Sequence, residues 1–247
     1  MKILVTNDDG IGTVGIRSLS RALQSLGRVT VVAPLHEQSA VSRSITFRSP
    51  LRVEELDAPI AGSSFAVSGT PTDCVFLAVH HLLDELPDLV VSGINTGPNL
   101  GDDVLYSGTV AGALEGSLNG IPSIALSLGA HGADNYDTAA SWLVSFLREN
   151  PLSLPQRTCL NINVPPGESQ DFKGWRYTAQ GRTNYGQKVI ERLDTRGQKY
   201  YWLGGDLPAG RLDDGSDSMA ISENFVSVTP LGLDLTDHHY LNKGVNN

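Results

Sequence analysis

The chain has 247 residues, a formal net charge of −9 and an isoelectric point of about 5.0, which suits one α/β domain with or without an extension. This acidic balance argues against a general binder of nucleic-acid polymers or of membrane surfaces. It is compatible with a small anionic substrate, because a bound metal ion can reverse the electrostatic field of a site.

Strand-like and helix-like segments alternate through the first 165 residues. Apolar runs predict strands, and apolar residues at helical spacing predict helices. The predicted strands are residues 2–6, 29–33, 64–68, 89–92, 123–127 and 160–164, and the predicted helices are residues 15–26, 72–83, 109–118 and 136–148. This alternation predicts parallel βαβ units in a Rossmann-like, three-layer α/β/α sandwich with a mainly parallel sheet.

The pattern changes after about residue 165. Extended segments at 176–180, 189–193, 198–203 and 225–229, a turn at 194–197 and a loop at 204–218 are expected there. We therefore expect one domain over residues 1–247, with an α/β core at 1–165 and a C-terminal hairpin and oligomerisation extension at 166–247. An isolated hairpin with few apolar residues is poorly stable, so we expect it to pack on another subunit.

The cysteines and the histidine pair are not expected to form sites. Cys74 and Cys159 precede apolar residues and lack paired metal-ligand spacing, so they are interpreted as buried side chains in a reducing compartment. His238 and His239 are interpreted as surface residues. The sequence shows no signal peptide and no apolar run as long as a membrane span, so a cytoplasmic protein without membrane contact is expected.

The acidic pair Asp8-Asp9 stands directly after the first predicted strand, and no Lys or Arg follows in the next seven positions. Burying two adjacent carboxylates is costly unless a positive charge compensates them. A divalent cation is the simplest compensator, and oxygen ligands favour Mg²⁺, Mn²⁺ or Ca²⁺ over zinc. The alternative is that one carboxylate caps the next helix while the other is solvated.

Gly10, Gly12 and Gly15 form a G-x-G-x-x-G motif after the same strand, a pattern typical of dinucleotide-binding folds. Two observations count against that function. Asp8 and Asp9 would repel a pyrophosphate, and no acidic residue stands at the end of the second strand. The glycines are therefore interpreted as shaping a tight loop around the acidic pair.

Two further loops are expected to meet the acidic pair, because each follows a strand of the same sheet. Ser39 follows the second strand, and its hydroxyl could complete a metal shell or serve as a helix cap. Asn95 and Asn99 lie in a loop with three glycines after a buried strand. Their side chains could bind phosphate or a metal, or could simply form turns.

A third segment, Ser107-Gly108-Thr109, lies where a helix begins. Hydroxyls and backbone amides at a helix N-terminus form an anion site, and Gly108 permits close approach of a ligand. The alternative is a cap before a helix with a small-residue packing face. A cation beside a phosphate site indicates metal-assisted phosphoryl hydrolysis.

The chain resembles the SurE family, the survival-protein nucleotidases, over nearly its whole length. The combination of motifs carries the resemblance, since no single motif is specific. They are Asn7-Asp-Asp-Gly10 with Gly15-Ile16 and Leu19, Ala33-Pro34 with Gln38-Ser39, Val91-Ser-Gly-Ile-Asn95, Gly97-x-Asn99-x-Gly101, Tyr106-Ser-Gly-Thr-Val110 with Glu115-Gly116, Gln180-Gly181-Arg182, Tyr185-Gly186 and Ser227-Val-Thr-Pro-Leu231.

The resemblance implies a site and an activity. Asp8, Asp9, Ser39 and Asn95 would bind one divalent metal ion per subunit, Mg²⁺ or Mn²⁺. Asn99 and the turn Ser107-Gly108-Thr109 would hold the phosphate. The implied protein is a metal-dependent 5′-nucleotidase, with 3′-nucleotidase and exopolyphosphatase activity in some relatives. Its subunits would form a homodimer or homotetramer by exchanging the C-terminal hairpin.

The mechanism expected from these residues is water attack on the phosphate, with Asp8 or Asp9 orienting or deprotonating the water. A covalent aspartyl-phosphate is the competing route. Two other functions stay open on sequence alone, a Rossmann-type NAD(P)-binding oxidoreductase and a non-catalytic nucleotide-binding module.

Overall fold

A nine-stranded sheet with helices on both faces organises the chain. The computed structural model describes residues 1–57, 59–184, 189–203 and 209–244. The strands are Lys2–Thr6 (β1), Arg28–Pro34 (β2), Val53–Glu55 (β3), Ser63–Val67 (β4), Leu89–Asn95 (β5), Ser123–Leu128 (β6), Thr158–Val164 (β7), Trp175–Tyr177 (β8), Thr183–Asn184 (β9), Val189–Leu193 (β10), Lys199–Leu203 (β11), Ala209–Gly210 (β12) and Val226–Gly232 (β13). The helices are Val14–Leu23 (α1), Pro71–Leu77 (α2), Gly108–Leu118 (α3), Tyr136–Glu149 (α4), Asp217–Ser222 (α5) and His238–Gly244 (α6).

The strand order in the main sheet is β3-β4-β2-β1-β5-β6-β7-β13-β8. The six strands from β4 to β7 in this order run parallel, whereas β3 and β13 are antiparallel to their neighbours β4 and β7. The predicted fold class, α/β with a mainly parallel sheet, is confirmed. The carboxyl ends of β1, β2, β5, β6 and β7 therefore lie along one edge, where open α/β sheets bind their ligands.

Two helical layers cover the sheet because its strands alternate apolar residues between their faces. Ile3 and Val5 of β1 pack in the core cluster that contains residues of α1 and α4, whereas Leu4 packs in the cluster with residues of α2. The helix α3 packs beside α2, and its residues Val110 and Ala113 are buried against β6 and β7. Burial on both faces explains why β5 and β6 are continuous apolar or small-residue runs.

The extension beyond residue 165 returns to the core sheet through β8 and β13. The expected division of the chain at residue 165 stays a prediction. The predicted hairpin is present as β10 and β11, which pair antiparallel from Val189↔Leu203 to Leu193↔Lys199. Residues 204–208 of the predicted loop and the motif residues Tyr185 and Gly186 lie outside the described residues.

Several element boundaries differ from the sequence expectation. The strand β3 was not expected, because its three residues are exposed and show no apolar alternation. The predicted helix 72–83 ends as α2 at Leu77 and continues as a π-helical turn, Ala78–Leu82. The helix α5 lies partly in the predicted loop 204–218, where a Ser216 cap accepting from the Met219 amide starts a helix in an Asp- and Gly-rich segment.

The helix α3 lies unusually close to the sheet through its small residues. A Cβ atom at Gly112 would come within 2.8 Å of Ser92 Oγ and 2.9 Å of Thr6 Cγ2. A Cβ atom at Gly116 would overlap Ser123 Oγ and come within 2.8 Å of Val90 Cγ2. These contacts leave no room for a side chain between α3 and the strands beneath it.

We expect Gly116→Val to lower the free energy of unfolding by about 2 kcal/mol, because the added methyl groups overpack the interface between α3 and β5–β6. Urea denaturation followed by circular dichroism measures this. Gly232→Val is the matched control, since nothing lies within 4 Å of a Cβ atom at that position. Equal stability of the two variants would contradict the packing of α3.

Candidate active site

A cleft of about 710 Å³ opens at the carboxyl edge of the sheet. Six of the eight predicted site residues line it, namely Asp8, Asp9, Ser39, Asn95, Asn99 and Ser107. Gly108 and Thr109 lie behind this lining at the start of α3. The loops that follow β1 and β2 are joined directly, because the Gln38 amide donates to the Asp8 carbonyl oxygen at 2.7 Å.

Asp8 is the buried member of the acidic pair, with 4% of its surface exposed. The Thr109 hydroxyl donates to Asp8 Oδ1. A Cβ atom at Gly108 would lie 2.7 Å from Asp8 Cβ, so only glycine lets α3 begin this close to the carboxylate. Burial raises the pKa of Asp8 to about 6, the hydrogen bond from Thr109 opposes that change, and the charge of Asp9 adds to it.

Asp9 is half-buried on the opposite side of the same turn. Its Oδ2 atom accepts from the Thr96 amide at 3.1 Å and from the Thr96 hydroxyl at 3.0 Å. The Thr96 hydroxyl also contacts the Tyr136 hydroxyl at 2.8 Å. Burial raises the pKa of Asp9, the bonds from Thr96 oppose this, and the charge of Glu37 adds to it. Both carboxylates are therefore costly to ionise without a cation.

The donor set fits a hard divalent cation. In the described part of the chain, no ion pair involves Asp8 or Asp9, and no cluster of three His, Cys, Asp or Glu residues could hold a metal. Neutral oxygen atoms from Ser39 and Asn95 would have to complete the shell. Two carboxylates with a hydroxyl and an amide carbonyl are ligands that Mg²⁺ and Mn²⁺ accept.

Ser39 and Asn95 are oriented in a way that suits ligation. The Ser39 hydroxyl donates to Glu37 Oε1 at 2.6 Å, which leaves its oxygen lone pairs for a cation. Asn95 Nδ2 donates to the Gly97 carbonyl oxygen at 3.0 Å, so the carbonyl oxygen Oδ1 is the atom left for a ligand. Their role as metal ligands stays a prediction.

Asn99 is buried and held by polar residues of β6 and β7. Its backbone amide donates to Asn163 Oδ1 at 2.9 Å, and its carbonyl oxygen accepts from the side-chain amides of Asn161 and Asn163. Its own side chain donates to Ser127 Oγ at 2.8 Å. One of its two Nδ2 hydrogens is thus used within the protein, and the other can serve a phosphate oxygen.

The N-terminus of α3 points its first residues at the acidic pair. Ser107 is the N-cap, and its Oγ accepts from the Val110 amide at 3.1 Å, so its own proton is available to a ligand. Thr109 is fully buried, and its hydroxyl donates to Asp8 and does not face the open cleft. The positive end of the helix dipole favours an anion here.

Sequence reasoning missed the residues that orient the site. Thr96 donates hydrogen bonds to the Asp9 carboxylate, and Tyr136 contacts the Thr96 hydroxyl. Nothing in the sequence around Thr96 indicates this role. Asp217 is fully buried, 116 positions from Gly101 in the chain, and its carboxylate accepts from the backbone amides of Gly101, Gly181 and Ser218. It fixes the loop that follows Asn99.

Two glycines of the G-x-G-x-x-G motif have different structural roles. Gly10 has φ +101°, and its carbonyl oxygen accepts from Asn7 Nδ2 at 3.0 Å. A Cβ atom at Gly15 would overlap the Ile94 carbonyl oxygen, so this glycine allows α1 to approach β5.

Comparison with known proteins identifies the family. The family model described as "Survival protein SurE" matches residues 3–187, three quarters of the chain. The chain belongs to the SurE family. No helix within the described ranges is long and apolar enough to cross a membrane.

Relatives in this family match almost end to end. A protein named 5′-nucleotidase SurE from Geobacter sulfurreducens is 50% identical over 240 residues, covering 96% of this chain and 90% of that one. A 5′-nucleotidase SurE from Thermosipho africanus is 47% identical over 244 residues, covering 98% and 96%. The crystal structure of the SurE protein from Aquifex aeolicus aligns with a TM-score of 0.84 at 39% identity over 100% of both chains.

Without divalent metal, Asp8→Asn should stabilise the protein at pH 8. The folded-state pKa of about 6 exceeds the ordinary value of 3.8, so the ionised carboxylate of the wild type lowers the free energy of unfolding by about 3 kcal/mol. This difference should shrink as the pH falls through about 6 and vanish below about 4. Urea denaturation in EDTA at several pH values measures it, and a gap independent of pH would contradict the burial of Asp8.

Proposed function

We propose that this protein is a metal-dependent phosphomonoesterase that hydrolyses nucleoside monophosphates, a 5′-nucleotidase. The observation that carries the proposal is the position of two desolvated carboxylates beside the N-terminus of α3 in one cleft. The names of the relatives, 5′-nucleotidase SurE, support the choice of substrate. The phosphate-release assay includes 3′-nucleotides, to test whether substrates with the phosphate on the 3′ oxygen are also hydrolysed.

In this proposal Asp8, Asp9, Ser39 and Asn95 hold one Mg²⁺ or Mn²⁺ ion. The ion would neutralise phosphate charge and make water a stronger nucleophile at neutral pH. Asp8 is the rigid ligand, because Thr109 and the contact with Gly108 fix it. Asp9 is less buried and is oriented by Thr96, so it is placed to orient the attacking water and accept its proton.

The phosphate would be held by Asn99, Ser107 and the backbone at Gly108 and Thr109. Ser107 and Asn99 each have a proton to donate, and the start of α3 offers backbone amides. These donors stabilise the charge that develops on the phosphoryl oxygens. The proposal makes Thr109 a positioning residue for Asp8, since its side chain is not directed to the cleft.

The other functions open on sequence alone are less well supported. The acidic pair directly before Gly10 disfavours a pyrophosphate, and the relatives are named as nucleotidases. Within the phosphatase proposal, attack by water inverts the configuration at phosphorus, whereas an aspartyl-phosphate route retains it. Adenosine 5′-thiophosphate that carries ¹⁸O at phosphorus and is hydrolysed in ¹⁷O-water gives a chiral thiophosphate, whose configuration separates the two routes.

The two cysteines support a proposed cytoplasmic location. Cys74 and Cys159 are both free and buried, and burial raises the pKa of Cys159 to about 12. Such thiols are unreactive, and unpaired cysteines are usual in a reducing compartment.

We also propose that the protein is a homodimer or homotetramer assembled through the hairpin β10–β11. The hairpin forms a separate two-stranded sheet. Its apolar side chains are exposed, including Trp202 at 61% and Leu203 at 86%. A patch of this kind on a pair of strands with no core of its own indicates a protein–protein contact.

Phosphate release from AMP should require the predicted metal site. Activity with Mg²⁺ or Mn²⁺ should be abolished by EDTA, and Asp8→Asn should lower kcat by roughly a thousandfold or more while the fold is kept. Glu54→Gln, an exposed acid on β3, is the control and should act as the wild type. The assay is repeated across 5′- and 3′-nucleotides.

Activity in EDTA would contradict the metal mechanism. A saturable change in NADH fluorescence on titration, without phosphate release, would favour the oxidoreductase. Nucleotide binding without turnover with any metal would favour a binding module.

Size-exclusion chromatography with light scattering should show a dimer or a tetramer at micromolar concentration. Replacing Trp202 and Leu203 by serine should shift the mass toward the monomer, because the apolar contact is lost. Phe47→Ser is the matched control, since Phe47 is 84% exposed but lies far from the hairpin in sequence. A monomeric wild type would refute the assembly.

A further inference from the structure

The loop that carries Ser39 is held by backbone hydrogen bonds on both sides of this residue. Before it, the Gln38 amide donates to the Asp8 carbonyl oxygen at 2.7 Å. Beyond it, the Ser42 amide donates to the Tyr106 carbonyl oxygen at 2.9 Å. The backbone at Ser39 is thus fixed relative to the acidic pair and to the segment that precedes α3.

These backbone bonds leave the direction of the Ser39 hydroxyl proton open. Ser39 is exposed and lines the cleft, and a hydroxyl proton rotates about the C–O bond towards its best acceptor. A proton directed at a bound cation would be repelled by it, whereas a proton directed away leaves an oxygen lone pair facing the cation. The strength of Ser39 as a neutral metal ligand therefore depends on the acceptor that takes its proton.

That acceptor is the Glu37 carboxylate, whose Oε1 atom lies 2.6 Å from Ser39 Oγ. An ionised carboxylate can only accept hydrogen bonds, so the Ser39 hydroxyl is the donor. A hydrogen bond to a charged acceptor is roughly twice as strong as one between neutral groups. The direction of the Ser39 hydroxyl is therefore set by Glu37.

Glu37 lies at the metal site without being placed as a ligand. It lines the same cleft as Asp8 and Asp9, and its charge adds to the raised pKa of Asp9. Within the described ranges, however, no three His, Cys, Asp or Glu residues come together as a metal site, and no ion pair involves Glu37. Its contact with Ser39 is the route by which it can act on a cation.

We propose that Glu37 is a positioning residue of the metal site, which accepts the Ser39 proton and thereby directs a lone pair of Ser39 Oγ at the cation. This inference rests on the proposed metal-dependent function and names a residue of that site beyond its four ligands. Groups that hold a metal ligand by a hydrogen bond orient it and make it more basic. A neutral hydroxyl gains from such an acceptor because it brings no charge of its own to the cation.

Glu37 could also attract a cation through space, and ionic strength separates this effect from the hydrogen bond. Glu37 is exposed, so its long-range field is screened by salt. The orientation of the Ser39 hydroxyl depends on a direct contact that salt does not screen. In about 1 M KCl, where the Debye length is about 3 Å, the effect transmitted through Ser39 should remain.

The test measures Mn²⁺ binding to the full-length protein without substrate, from the electron paramagnetic resonance signal of free Mn²⁺ in this salt. Glu37→Ala should raise the Mn²⁺ dissociation constant about tenfold. Glu37→Gln, which keeps an oxygen acceptor but loses the charge, should raise it about threefold. Glu54→Gln, at an exposed acid on β3, is the matched control and should bind Mn²⁺ as the wild type does.

The same measurement in a Ser39→Ala background isolates the route through the hydroxyl. With no hydroxyl to orient, adding Glu37→Ala should change the Mn²⁺ dissociation constant by less than about twofold. An equal loss of affinity in both backgrounds, or no loss in the protein that retains Ser39, would overturn the inference. A merely structural role of Glu37 would likewise weaken binding in both backgrounds.

The outcomes for Glu37 and for the proposed function are separable. A wild type that binds Mn²⁺ but releases no phosphate from AMP with any metal refutes the nucleotidase, and the Mn²⁺ titrations still decide on Glu37. Metal-dependent phosphate release together with independent effects of Glu37→Ala and Ser39→Ala refutes the role of Glu37 alone. A wild type that binds no Mn²⁺ overturns both.

Discussion

The site depends on two adjacent carboxylates where β1 ends, of which Asp8 is buried and Asp9 is half-buried. Asp8 is almost completely removed from water, and the groups that donate to Asp8 and Asp9 are neutral hydroxyls and amides of Thr109 and Thr96. Such bonds reduce the cost of ionisation but do not remove it, as the raised pKa of each carboxyl records. A bound cation would therefore offset the cost of ionising these two partly desolvated carboxylates. Without a cation, the free energy of unfolding of the protein falls as the pH rises.

A second set of buried polar residues holds the opposite wall of the cleft. Asn161 and Asn163 point from β7 to the backbone of Asn99, and Asp217 binds the amide of Gly101. Each of these side chains satisfies backbone groups of a loop that could not be buried otherwise. These bonds fix the part of the loop from Asn99 to Gly101, which includes one of the proposed phosphate-binding residues.

Local sequence patterns predict those features of the fold and the site that short segments of the chain determine by themselves. The parallel strands were predictable because they are buried apolar runs. That Asp8, Asp9, Ser39, Asn95 and Asn99 line one cleft was predictable because each follows such a strand, whereas their roles stay predictions. Asp217 was not, because nothing in its Asp- and Gly-rich surroundings distinguishes it from Asp213 or Asp214; only the fold brings it to Gly101. The exposed strand β3 likewise has no apolar pattern, since its register depends on pairing with β4.

The helix α3 connects the packing of the core with the chemistry of the cleft. Gly108, Gly112 and Gly116 follow one another at intervals of four residues, so they lie on one face of the helix. A Cβ atom added at these positions would collide in turn with Asp8, with Thr6 and Ser92, and with Val90 and Ser123. Each glycine costs about 1 kcal/mol of helix stability relative to alanine, and close contact with the sheet offsets that cost.

A larger residue at Gly112 or Gly116 would lift the helix from the sheet and carry its N-terminus, with Ser107 and Thr109, away from the acidic pair. The glycines that allow the helix to lie against the sheet therefore also set the distance between the carboxylates and the N-terminus of α3.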